Sequence, residues 1–178
     1  MRKLANSELN RISVDEFKKI DKTPIIVVLD NVRSLNNIGS IFRTADAFKV
    51  EAIYLCGICA TPPHKEIHKT ALGAEDTVYW EYFDNTLNAV EKLKINNYLP
   101  VAVEQTENSI MLEKFPMDYQ LKYALIFGNE VKGIDQEVIN LCNKSVEIPQ
   151  FGTKHSFNVS VSAGIVLWEW YRRLILGM

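Results

Sequence analysis

Apolar positions along the chain follow two alternating periods. The run PIIVVLD at 24–30 is continuously apolar and β-branched until its closing carboxylate, as expected of a strand buried on both faces. Ala52–Cys56, Thr77–Tyr82, Leu99–Val103, Tyr123–Phe127 and Lys144–Ile148 supply further strand-like runs. Between them lie stretches with helical spacing. Ile41, Ala45 and Phe48 place a helix over Ile38–Phe48, Ile67–Leu72 reads as a short one, and Leu87–Lys94 is amphipathic. Gln136–Cys142 is another, and Val159–Leu174 forms the last. Ser13 and Glu16 make a capping-box pair, which predicts a short helix over Val14–Ile20. Strand alternating with helix implies an α/β fold, a mostly parallel sheet with helices on both faces. In such sheets ligands bind beyond the strand carboxyl ends. The polar loops Asp30–Gly39, Glu104–Ser109, Gly128–Gly133 and Pro149–Asn158 each follow a strand, so they are expected to converge on one edge.

Composition narrows the class. The chain has 178 residues, 47% hydrophobic and 24% charged, which fits one globular domain. We divide it into an N-terminal arm with a short helix (1–23) and one domain over 24–178. The net charge of −2 gives no global sign of a polyanionic partner, so such a partner would need a local basic patch. The start of the chain lacks the apolar stretch of a signal peptide, and no run reaches membrane-spanning length, so a cytoplasmic location and no membrane partner are expected. Cys56, Cys59 and Cys142 are read as buried structural thiols, because no second pair completes a zinc set.

Several chemistries fail on their motifs. Asp30–Gly39 holds one glycine where a dinucleotide fingerprint needs three, and Gly128–Gly133 continues Ile134-Asp135 where a phosphate loop requires Lys-Ser/Thr. His64 and His68 would share a helical face, but Glu66 is misplaced for a zinc protease. We expect no metal, and the flanking Lys65 and Lys69 fit phosphate better. No serine has the G-x-S-x-G setting, and His155 and Ser156 would point to opposite faces of an extended stretch. What remains is Asn36, Asn37, Arg43, Glu130, Ser156 and Asn158, a set that positions a substrate rather than attacking it. Taken singly, Asn37 is a turn residue, Arg43 a surface residue and Asn158 a helix N-cap; their joint placement at strand ends makes them a candidate site.

Three motifs occur in order: LNNIGSIFRTADAF (35–48), LIFGNEVKGID (125–135) and IPQFGTKHSFNVSVSAGI (148–165). With them the chain resembles the SpoU/TrmH family of RNA 2′-O-ribose methyltransferases, within the SPOUT superfamily. Gln150 stands where methionine is usual and Phe157 where leucine is common. Periodicity alone draws an unknotted Rossmann-like sheet. The resemblance implies instead a C-terminal deep trefoil knot, an exception to the rule that chains do not thread loops.

The resemblance further implies S-adenosylmethionine as cofactor, held by Gly128, Ile148 and Phe157 largely through backbone groups, with Glu104 beside them. It makes Arg43 the central catalytic residue, with Asn37, Glu130, Ser156 and Asn158 around it. Arg43 is either a general base or a fixed cation that holds phosphate and stabilises the forming alkoxide, since free guanidinium keeps its proton. The partner is RNA, tRNA being favoured over rRNA. A homodimer is implied through the C-terminal helix, where Ser160, Ala163 and Gly164 allow close approach and Val166, Leu167, Trp168, Trp170 and Tyr171 are apolar. RNA contacts would fall to Arg2, Lys3, Arg11, Lys18, Lys19 and Lys22 in the arm, with Arg33, Lys65 and Lys69 nearer the site. An ordinary solvated helix is the competing reading of the arm. A catalytically silent RNA-binding relative and a small-molecule enzyme on an ordinary sheet are the competing functions.

Overall fold

The apolar run at 25–29 forms an interior strand of a parallel sheet in the computed structural model, which describes residues 1–5 and 7–178. In chain order the elements are α1 (Val14–Lys19), β1 (Thr23–Asp30), α2 (Leu35–Ala47), β2 (Val50–Cys56), α3 (Lys65–Ala71), α4 (Ala74–Thr77) and β3 (Tyr79–Phe83). They continue with α5 (Thr86–Ile95), β4 (Tyr98–Val103), β5 (Ile110–Met111), β6 (Lys122–Phe127), α6 (Gln136–Leu141), β7 (Lys144–Glu147) and α7 (Val159–Leu174). The seven strands are all parallel, in the order β3-β2-β1-β6-β4-β7-β5.

Strand side chains alternate between faces, and β1 fills both. Ile25, Val27 and Leu29 pack with Phe42, Leu125, Val166 and Trp170 beneath α2 and α7. Ile26 and Val28 pack with Ala124, Val90, Leu93 and Val138 beneath α5 and α6. This is the α/β class that the periodicity predicts.

Strand order carries the functional geometry. From β1 the chain moves outward through β2 to β3; later, β6 enters on the other side of β1, between it and β4. β7 then enters between β4 and β5, and α7 returns to pack on α2. The carboxyl ends of β1, β6, β4 and β7 are thereby neighbours across the point where the direction of travel reverses, the place where open parallel sheets bind ligands.

The structure departs from expectation locally. Helix α2 starts three residues early because Ser34 caps it, its hydroxyl accepting the Asn37 N–H at 3.3 Å. Asn36 and Asn37 therefore sit in a helical first turn rather than a bend. Before β3, left-handed backbone at Leu72 and Gly73 starts the extra turn α4, so that strand begins at Tyr79 rather than Thr77. β5 is two residues long, too short for periodicity to reveal.

Candidate active site

Each polar loop at the sheet's carboxyl edge is joined to another by side-chain hydrogen bonds. Asp30 closes β1 and is buried. Its carboxylate accepts from Thr86 Oγ1 at 2.5 Å, Asn31 Nδ2 at 2.9 Å and the Asp135 N–H at 2.9 Å. Asn129 donates to Asn31 O at 2.7 Å and accepts the N–H groups of Val131 and Lys132 at 2.9 and 3.1 Å. One side chain thus builds the 129–132 turn and ties it to the end of β1. Asp30 and Asn129 were not singled out from sequence; the signal for the first was a carboxylate ending a strand buried on both faces.

Glu130, at the tip of this loop, reaches α2. Its carboxylate accepts the N–H groups of Arg33 and Ser34, each at 3.0 Å, and the Asn37 amide, also at 3.0 Å. Partial burial pushes this carboxyl up, but hydrogen bonds from Arg33, Asn37 and Ser34 outweigh it and hold it below the ordinary glutamate value. Asn37 Oδ1 in turn accepts from Asn158 Nδ2 at 3.1 Å. Asn158 Oδ1 caps α7, accepting from the Ser160 N–H at 2.9 Å and Ser160 Oγ at 2.7 Å. Residues from all three motifs, more than 120 positions apart at their extremes, form one chain: Glu130–Asn37–Asn158–Ser160.

Beside this chain lies a cavity of about 680 Å³, lined by Glu104, Gly128, Glu130, Ile148, Ser156, Phe157 and Asn158 among others. Its floor is loop backbone folded tightly. A side chain on Gly128 would overlap the backbone of Gly133 and Ile134, and Gly133 has a left-handed φ of +69° beneath the Glu104 carboxylate. That carboxylate accepts the Ile134 N–H at 3.1 Å and its own neighbour's, Gln105, at 3.0 Å. Gln105 then donates to His155 O at 2.8 Å, tying the β4 loop to the long loop after β7.

Eight of the ten site residues named from sequence therefore gather here, since Asn37 touches two lining residues; Asn36, one position before it on α2, is exposed and outside the cavity lining. Arg43 does not gather here either. It lies six residues past Asn37 on α2, exposed, outside the cavity, and without a side-chain hydrogen bond among the described residues.

Other expectations are settled by position. His64 and His68 do not share a helical face: His64 is the N-cap of α3, accepting the Glu66 N–H at 3.2 Å, and His68 meets the buried Glu75 carboxylate at 2.5 Å. Cys56 and Cys59 are buried, and burial raises both thiols, Cys59 to about 11. Cys59 Sγ donates to Leu29 O at 3.3 Å and accepts the Val32 N–H at 3.2 Å, a structural clasp at the end of β1. Lys22 turns inward and donates to Phe17 O and, at 3.3 Å, to Ile20 O, with burial lowering its affinity for a proton. It is unavailable as the RNA contact expected of it. Lys65 and Lys69 remain exposed.

Gly164 on α7 faces open space, while Ala163 points into the protein's own core. Of the small residues in this helix, Gly164 is thus free to meet another surface. Val161, Trp168 and Ile175 stand about half exposed on the same helix and just beyond it. No helix among the described residues is long and apolar enough to cross a membrane.

Residues 24–168 match the model of the SpoU rRNA methylase family. A tRNA (guanosine(18)-2′-O)-methyltransferase of Aquifex aeolicus is 31% identical over 150 residues, 84% of this chain and 69% of that protein. A 23S rRNA (guanosine-2′-O-)-methyltransferase, RlmB, of Neisseria meningitidis is 30% identical over 91% of this chain and 64% of its own length. The chain thus spans about two thirds of the length of these curated relatives. An AdoMet-bound rRNA methyltransferase from Sinorhizobium meliloti superposes with a TM-score of 0.79 at 28% identity, covering 89% of this chain and 60% of that one. With three motifs meeting at one sheet edge and a family match over most of its length, the chain belongs to the SpoU rRNA methylase family.

Proposed function

We propose that the protein transfers a methyl group from S-adenosylmethionine to a ribose 2′-hydroxyl of RNA, with tRNA the preferred substrate, in the cytoplasm. The observation that carries this reading is the Glu130–Asn37–Asn158 chain at the rim of the 680 Å³ cavity, which joins the family's three motifs in one hydrogen-bonded unit. The cavity falls within the roughly 300–1,000 Å³ usual for small-molecule sites. Its floor of loop backbone suits an adenine edge, which offers a donor and acceptors that peptide groups can match. Glu104, Gly128, Ile148 and Phe157 would hold the cofactor. When bound, it supplies an activated methyl on a sulfonium centre.

The protein's task is to align the 2′-oxygen and ease removal of its proton. Alignment of this kind is worth roughly 7–11 kcal/mol in favourable cases. Glu130 fixes the Asn37 amide, and Asn37 fixes Asn158, so the polar groups facing the ribose hold one arrangement. Ser156, on the cavity wall, is a further hydrogen-bonding group for the sugar. Arg43 holds a substrate phosphate and stabilises the forming alkoxide as a permanent cation.

Arg43 lies outside its own chain's cavity, which supports a homodimer packed through α7, with the site completed across the interface. Gly164 and the exposed Val161 and Trp168 are the surfaces such a partner would cover. The strand order supports a trefoil knot, because β6 and β7 enter between strands already laid down and α7 returns to α2. Residues 24–178 constitute the methyltransferase domain, with 1–23 an arm. Its Arg2 already pairs with Glu8 at 2.7 Å, which favours the exposed Lys65 and Lys69 as phosphate contacts.

The test is transfer of labelled methyl from S-adenosylmethionine to purified tRNA and rRNA, followed by mapping of the modified nucleotide. Label on a 2′-oxygen, with tRNA the better acceptor, is the expected result; wild-type protein inert toward both RNAs sinks the proposal. Arg43→Lys keeps the charge but loses the planar fork. Transfer should fall by about 10²–10³-fold while calorimetry shows cofactor binding retained.

A further inference from the structure

We infer that Gln105 is a positioning residue for the loop after β7, acting on the cavity through a single tether. The inference rests on reading that cavity as the S-adenosylmethionine site. Residues 151–158 are all exposed, and between Ile148 and Phe157 the backbone makes no hydrogen bond to other backbone among the described residues. A segment this bare keeps most of its conformational freedom unless something outside it restricts it. Its downstream end is held by Asn158, through Asn37 and the cap of α7. Among the described residues one hydrogen bond reaches the ten positions before that, from Gln105 Nε2 to His155 O at 2.8 Å.

His155 itself is not the object of this contact; its carbonyl is. Residue 155 immediately precedes Ser156 and Phe157, which line the cavity, as Gln105 itself does. Pinning that carbonyl restricts the backbone that presents them. The donor is well founded. Gln105 follows Glu104 at the end of β4, its N–H is held by the Glu104 carboxylate at 3.0 Å, and that carboxylate also holds Ile134 at 3.1 Å. Gln105 thus connects the tightly bonded 128–135 loop, through Glu104, to the bare 148–157 segment. Its two amide hydrogens and near-neutral polarity suit a carbonyl acceptor. A carboxylate of the same shape would place oxygen against oxygen.

Amide exchange of cofactor-free protein, combined with calorimetry using S-adenosylmethionine, tests this. Gln105→Glu, which keeps the shape and reverses the donor, should speed exchange across 149–157 and leave 128–135 unchanged. The dissociation constant should rise roughly 3–10-fold, as loss of one hydrogen bond predicts, with the melting temperature little moved. Gln105→Ala should do the same more weakly, and Gln105→Lys, which restores a donor, should recover part of the loss. Wild-type exchange across 149–157 in Gln105→Glu would overturn the tether whatever the affinity, since weaker binding alone would report direct contact of Gln105 with the cavity contents. Loosening of both loops together with a lower melting temperature would overturn it too. Wild-type protein that binds no S-adenosylmethionine would refute the cofactor reading, and the exchange measurement alone would then decide the tether.

Discussion

Two loops bound the same cavity and are built in opposite ways. The 128–135 loop is bonded throughout. Asn129 and Gly133 exchange backbone hydrogen bonds at 3.0 and 2.9 Å, Asn129 gathers two further N–H groups, Asp30 and Glu104 take two more, and Glu130 anchors the tip to α2. The 148–157 segment is exposed over most of its length and held from outside at one carbonyl. A rigid wall and a yielding one suit a site that must admit a flexible cofactor and then fix it. Pre-organisation limits the entropy lost on binding, while the yielding side permits entry.

The contrast can be broken most severely at Glu130. Glu130→Ala leaves the Arg33, Ser34 and Asn37 donors without their acceptor and frees Asn37 from its fixed orientation. Misplacement on that scale costs roughly 10²-fold in rate, which a methyl-transfer assay with RNA would read as a fall in turnover. Next comes a pair of glycines. Gly128→Ala would drive a methyl into the backbone of Gly133 and Ile134, so chemical denaturation should show a loss of about 1–3 kcal/mol or more. Gly152→Ala, in the bare loop, meets nothing within 4 Å. Its effect should stay within about 0.5 kcal/mol, and equal losses for the two substitutions would erase the distinction.

The smallest effect concerns pH. The Glu130 carboxyl is held below its ordinary 4.5 by the hydrogen bonds it accepts. A depressed folded-state value means its stabilisation is fully present above the unfolded value and disappears as pH falls through the folded one. Melting temperatures should therefore drop more steeply below pH 4.5 in wild type than in Glu130→Gln, and parallel curves would remove Glu130 from the account.

Much of this was legible in the chain. The both-face-buried strand at 25–29 and the final helix over Val159–Leu174 were readable because periodicity reports burial directly. Convergence of the polar loops followed from parallel topology alone. Strand order did not, because inserting β6 between β1 and β4 is a long-range choice that no local period encodes. The early start of α2 was hidden because Asn36 and Asn37 have turn preferences, which the Ser34 cap and the Glu130 contact override. Gln105 was invisible for a similar reason: an exposed glutamine after a strand carries no signal until its acceptor, fifty residues on, is in place.

Asn158 holds two posts at once, as the cap of α7 and as a link in the chain from Glu130 to Ser160. A helix cap is worth about 1 kcal/mol, so α7 cannot shift in register or fray at its start without pulling on Asn37. A displacement at the start of that helix therefore bears first on Asn37 and, through it, on Glu130. The first turn of α7 and the tip of the 128–135 loop thus share one set of hydrogen bonds, so neither can be rearranged alone.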